Sequence, residues 1–388
     1  MNWIQDNARI SNVDLKRVFK YEAKGTTAVS WSNDNNLGFK TLEDSCWEEW
    51  LEDESPDRYG PRLARAGQES PCSSIEEKSI VTNDTGGQRK LRTVPFSEDT
   101  FRRIIDTFHI HGSISTVVSR ADVPVFQNTQ VLMKDANGKE HRAHVYNCRT
   151  SNEWATDLAL TVTHLPDLQR TYCIMFGCDE GTVEMVTHRL SALGTEISYP
   201  LIMPAILVEL ERLRHIDITS RAIASMETKI AELDFNADYM DEEMGCGAAG
   251  DRNSARRSTW LDTAHLQNCL INWKYQLEKL RQCVATLEED NETCSVDSRS
   301  TTLGSDQSEE ATTSSKTGQK MVDRIKAIEE EYDQRIRDCR MRLEGMSMAT
   351  QWSRLAAHES NSGDNNSIPS GYILGGRFLD VLFQLEEL

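Results

Sequence analysis

Residues 266–287 read LQNCLINWKYQLEKLRQCVATL. Within this stretch Leu266, Leu270, Trp273, Leu277, Leu280, Val284 and Leu287 recur alternately four and three residues apart. That spacing is an a/d seam, and it predicts a helix packed lengthwise against other helices. Two more long helical patterns flank it. Residues 200–234 carry Ile206, Leu210, Leu213, Ile216, Ile223, Met226, Ile230 and Leu233 near one stripe. Residues 321–358 carry Ile325, Ile328, Tyr332, Ile336, Cys339, Leu343 and Met346, with one stutter between Tyr332 and Ile336. Three long antiparallel helices satisfy these seams within one chain, and oligomerisation is the alternative.

Ahead of the seams the period changes from 3.6 to 2. Ser97 reads as the cap of a helix with Phe101, Ile104, Ile105 and Phe108 inward, and a short helix is expected over 113–120. Residues 124–133 alternate as a strand, 135–138 form a turn, and 140–148 return as the hairpin partner. Two more strands are expected at 157–164 and 171–177. The second is apolar on both faces and so belongs at the centre of a sheet. A helix over 180–193 follows, with Val183, Val186 and Leu190 on one side, and Gly194 stops it.

The first 90 residues are weakly patterned. Ser11–Asp14 and Thr41–Asp44 read as capping boxes, each opening a short helix. The stretch 52–90 is rich in Ser, Glu, Gly, Asp and Pro and is expected to be loop or disorder. The fold class expected is therefore α+β: a mixed β-sheet with flanking helices, followed by a long antiparallel three-helix bundle. The domains expected are a weakly ordered region over 1–90 and an α/β domain over 91–195. A bundle over 198–358, with a disordered insert at 290–316, and a flexible tail over 359–388 complete the chain.

Charge narrows the function classes. A net charge of −19 over 388 residues argues against nucleic-acid binding, which needs clustered Lys and Arg. The ten cysteines form no CxxC pair, so a reduced cytoplasmic or nuclear setting fits better than a disulfide scaffold. Residues 1–20 have no apolar core and include Asp6 and Asp14, unlike a secretory signal. No apolar run reaches the roughly 18 residues that span a bilayer, so no direct membrane insertion is expected.

Few residues carry chemistry. His109, His111, His141 and His144 suggest zinc by type. On a strand, however, His141 and His144 point to opposite faces, so joint ligation is not expected. Cys173 lies within an apolar strand, where a thiol acts as a small hydrophobe. Cys178 sits beside Asp179 and Glu180, whose charge opposes thiolate formation. Walker A, GxGxxG, GxSxG and HExxH patterns are missing from the sequence, so no enzyme is expected. Two acidic runs stand out, Asp238, Asp241, Glu242 and Glu243, and Glu288, Glu289 and Asp290; weak Mg²⁺ binding is the chemistry they offer, the first run being the candidate site, and Mg²⁺ is the candidate cofactor. A solvated loop is the plainer reading of that run.

Several segments resemble a known family. Phe108-His109-Ile110-His111-Gly112-Ser113-Ile114 followed by Ser119-Arg120-Ala121-Asp122-Val123-Pro124 is similar to the fungal CorA-like proteins. So are 157–161, 171–178, 200–204 and 209–215, and 342–351 resembles the segment that precedes their membrane part. The resemblance runs from about 91 to 358. It implies a cytoplasmic α/β domain and then long helices, of which the last leads into a membrane. The family's Gly-Met-Asn pore triplet has no counterpart in this sequence, so no ion-conducting residue carries over. A non-enzymatic regulatory or interaction module follows as the expected function. The cytoplasmic part of a Mg²⁺ transporter, its membrane segment lying outside this sequence, is the alternative. The expected partners are a second copy or a membrane-anchored relative.

Overall fold

The computed structural model describes residues 9–31, 37–52, 62–65, 91–119, 124–134, 139–151, 154–238, 246–297 and 306–362. The helices are α1 (Asn12–Val18), α2 (Trp47–Glu52), α3 (Glu98–Thr107), α4 (Ser113–Ser119), α5 (Glu180–Ser191), α6 (Ile202–Asp238), α7 (Cys246–Asp297) and α8 (Asp306–Ser362). The strands are β1 (Lys20–Tyr21), β2 (Thr26–Trp31), β3 (Leu37–Leu42), β4 (Arg62–Arg65), β5 (Thr93–Val94), β6 (Val125–Lys134), β7 (Glu140–Arg149), β8 (Ala159–Leu165) and β9 (Arg170–Phe176). The molecule is α+β, as the two periods predict.

Among the described residues, seven strands form one mixed sheet in the order β3-β2-β4-β9-β8-β7-β6. β9 stands at its centre, where its run of apolar residues is covered on both faces. From β9 to β6 the strands are antiparallel. β4 joins β9 in parallel, with Leu63 opposite Cys173.

The N-terminal region departs from expectation. Residues before 91 supply β2, β3 and β4, three of the seven strands, and β1 pairs with β5. Thr41 lies within β3, so it caps no helix. α2 instead follows a short 3-10 turn over Asp44–Cys46. Packing explains the difference. Trp47 is fully buried, and its indole Nε1 donates to Thr26 Oγ1 at 2.8 Å. Its ring meets Phe96 at 5.3 Å and Trp50 at 5.2 Å. The Phe19 and Phe101 rings lie 5.1 Å apart at a tilt of 58°. This tertiary burial orders a region whose local pattern is weak.

The caps expected at Ser11 and Ser97 form, and Asp179 adds a third. Ser11, Ser97 and Asp179 each accept from the backbone N–H three residues on, at 3.0, 3.2 and 2.8 Å. α3 then buries Phe101, Ile104 and Ile105, and α5 buries Val186 and Leu190. Beyond α5, Gly194 takes φ +53°, the left-handed backbone that glycine tolerates best. The expected turn at 135–138 lies outside the described residues.

The chain divides into two compact units. One comprises 1–214 with 271–331, the other 215–270 with 332–388. This is not the sequential division expected near residue 195, because each long helix contributes to both units. In the first unit, Glu209 meets Arg324 and Arg212 meets Glu331. In the second, Met226, Ile230 and Leu233 of α6 pack with Leu343, Met346 and Ala349 of α8, and Ala264 of α7 joins them. His215 meets Tyr332 and Arg342 meets Glu227, so α6 and α8 run the same way. Gln267 donates to the Ile336 carbonyl while Ala264 lies beside the later cluster, so α7 runs opposite to them.

Leu266, Leu270, Trp273, Leu277, Leu280 and Val284 of the seam are buried, and Leu287 partly so. Every member of the α8 series from Ile325 to Met346 is buried. Helix runs into both ends of the segment expected to be disordered, since α7 continues to Asp297 and α8 begins at Asp306. Residues 298–305 lie outside the described residues, as does the expected flexible tail beyond 362. In α6 the expected stripe shifts. Leu213 is exposed, while Glu211 and His215 turn inward.

Candidate functional site

The side chains singled out for chemistry do not converge. Asp238 closes α6, and Asp241, Glu242 and Glu243 lie outside the described residues. Of the histidines, His111 is buried, and its Nδ1 sits 2.7 Å from Ser113 Oγ. Asn147 donates to the same hydroxyl at 2.7 Å. Burial lowers the His111 pKa. His109 has φ +51°, and its carbonyl accepts from Thr163 Oγ1 at 3.0 Å.

His141 and His144 are both buried on β7, three residues apart. His141 lies 4.0 Å from Asp167. His144 stacks with Tyr146 at 6.4 Å and lies 6.3 Å from His164. Among the described residues, no group of three or more His, Cys, Asp or Glu is placed to hold one metal ion.

The buried thiols among the described residues fill space. Burial raises the pKa of Cys148 and Cys173, and pushes that of Cys283 up to about 12 and that of Cys339 to about 11. Cys178 is buried, its sulfur 4.0 Å from the Met175 carbonyl. These groups behave as small apolar fillers at neutral pH.

Sequence reasoning missed a polar cluster that fastens the end of β7 to α6, within the first unit. Arg149 and Asp157 are both buried and meet at 2.7 Å. Arg149 Nη1 also donates to the carbonyls of Val117 and Val118, at 2.7 and 3.1 Å, and so caps the end of α4. Thr150 Oγ1 donates to the second Asp157 oxygen at 3.0 Å and accepts from the Leu158 N–H at 2.8 Å. Burial pushes the Asp157 carboxyl up, while Arg149 and the Thr150 hydroxyl pull it back.

Next to this pair, Glu211 accepts from the Ser151 N–H at 3.4 Å and from Arg214 at 2.7 Å. Arg214 donates in turn to the carbonyls of Ser151 and Ala155, at 2.8 and 2.9 Å, and lies over the Trp154 ring. These contacts explain why Glu211 displaces Leu213 from the inward stripe. Within the resembling segment 209–215, the sequence shows Glu211 and Arg214 only as two of four charged residues on a helix. Their buried partner became visible once β7 and α6 were brought together.

In the first unit, α5 and the start of α6 also border an open groove of about 690 Å³. Met185, Leu193 and Ile206 supply apolar lining, with Glu184, His188 and Glu209 at its polar positions.

The cluster is built for mechanical attachment. Each charge is held by a fixed partner, and none of the distances found creates a nucleophile paired with a base. No described helix is long and apolar enough to cross a membrane. No family model matches the chain, and no curated protein matches it.

Proposed function

We propose that this chain is a non-enzymatic, CorA-like cytoplasmic module that acts by regulation or interaction. The observation that carries the reading is the order of the architecture. An α/β sheet region precedes three long helices, and the resembling segments fall at β8, β9, the start of α6 and the later part of α8. That is the arrangement the resemblance implies. The consumption of Arg149, Asp157, Glu211 and Arg214 in fold contacts supports a non-catalytic role.

A second reading makes the chain the cytoplasmic part of a Mg²⁺ transporter. It is favoured by 342–351, which resembles the segment ahead of the family's membrane part. Expression of the full chain in a cell deficient in magnesium uptake separates the two. No growth rescue is expected. Rescue without a longer relative would refute the module reading and favour transport.

A further inference from the structure

The two edges of the seven-stranded sheet are built differently. β3 closes one side and holds Gly38 and Lys40 within six residues. Glycine weakens a strand, and lysine guards an edge against pairing with another chain. β6 closes the other side and is ten residues long. From Val125 to Met133 it carries no charge, no proline and no glycine. In a chain of which 27% is charged, that run leaves the edge unguarded.

Two hydrogen bonds show which β6 residues face outward. The Phe126 N–H donates to Gln276 Oε1 of α7 at 3.0 Å, away from β7. Just past β7, the Thr150 N–H reaches the Leu158 carbonyl on the β8 side. Antiparallel pairing alternates, so the odd residues of β7 serve β6, and the even residues of β6 face away from β7. Gln276 takes the first of these, Phe126. Among the described residues, no group meets the backbone N–H and C=O of Asn128, Gln130 or Leu132. The side chains of Gln130 and Leu132 are exposed, Leu132 to 65%.

We propose that β6 pairs with β6 of a second copy, antiparallel, about a two-fold axis at Gln130. An open strand edge fits an extended strand, and a two-fold sets its donors against its own acceptors. The register follows from which residues are open. Centring on Asn128 would use Phe126, which Gln276 holds, and leave Leu132 unpaired. Centring on Leu132 would run past Lys134, where β6 ends. Centring on Gln130 uses all three open residues and forms about six backbone hydrogen bonds. Asn128 then stands opposite Leu132 of the second copy, and Gln130 meets its counterpart, amide to amide. Thr129 falls opposite Val131, a β-branched pair suited to a sheet. Lys134, which lies 3.4 Å from Glu140, falls opposite Phe126, so no like charges meet. The edge is therefore a neutral place of approach on a chain whose net charge is −19. This inference stands apart from the CorA-like reading.

The test uses the full chain and its Gln130→Lys and Gln130→Glu variants. Sedimentation equilibrium is read from about 1 to 200 µM, with hydrogen exchange over 126–134 at both ends of that range. The unsubstituted chain should pass from one copy to two, with a midpoint on the order of 10 µM because the pairing is short. Amide exchange at Asn128, Gln130 and Leu132 should slow as it does. Gln130→Lys sets two cations face to face and should weaken association about tenfold or more. An equimolar mixture of the two variants sets opposite charges together and should regain most of it. Each variant should keep the thermal midpoint of the unsubstituted chain, since the altered side chain is exposed. A chain that stays single throughout the range would overturn the proposal and give the edge to a strand of another protein. A dimer that Gln130→Lys leaves unchanged would overturn it as well, as would a mixture that associates no better than Gln130→Lys alone.

Discussion

Arg149 shows how much one buried residue can hold. Its guanidinium pairs with Asp157 and caps α4 at the same time. Arg149→Met leaves the Asp157 carboxylate buried without its charge partner, and a loss of about 3–5 kcal/mol is expected in urea unfolding. A change under 1 kcal/mol would mean that water replaces the pair. His164 carries a pH dependence. Burial, then the neighbouring His144, lowers its pKa to about 4. The unfolded chain titrates near 6.5, so between these values it binds more protons than the fold, and stability rises with pH. The contribution is complete above about pH 6.5 and is lost as pH falls toward 4. The upper figure is about 2 kcal/mol between pH 7 and pH 5. His164→Gln should flatten that slope in unfolding midpoints measured at the two pH values. An unchanged slope would remove His164 from the account.

At the scale of the element, the α7 seam is where spacing translated most directly into packing. Leu277 is almost fully buried. Leu277→Ala is expected to cost about 2–5 kcal/mol, seen as a lowered thermal midpoint. Wild-type stability in that variant would show that the seam collapses around the gap. The seams were readable because a heptad repeats the same demand many times over. α6 was less readable at one turn. There Glu211 and His215 point inward because Ser151, Arg214 and Tyr332 satisfy them, at 2.7 Å for the His215–Tyr332 contact. None of those partners is near in sequence except Arg214. Propensity and periodicity see a polar residue and place it outside. A hydrogen-bonded partner brought in from elsewhere reverses that choice.

At the scale of the whole molecule, the sheet is shared by both ends of the first 176 residues. β2, β3 and β4 extend it beyond β9, and Trp47 closes the aromatic core over Phe96. A chain beginning at residue 91, where the sequence suggested a domain boundary, should therefore lack a cooperative melt. Circular dichroism through a thermal ramp tests this. A sharp transition near that of the full chain would show that the N-terminal strands are an addition rather than part of the core.

Local signals were enough for the caps at Ser11 and Ser97, for the central position of β9, and for the three long helices. Each depends on residues within a turn or two of one another, or on a period repeated over many turns. The strands before residue 91, the Arg149–Asp157 pair and the inward Glu211 were settled by contacts between residues far apart in the chain. A strand such as β4 has only four residues, and its neighbours β2 and β9 lie more than 30 residues away. Its stability comes from the ladders on either side, and no local pattern of charge or hydrophobicity encodes those.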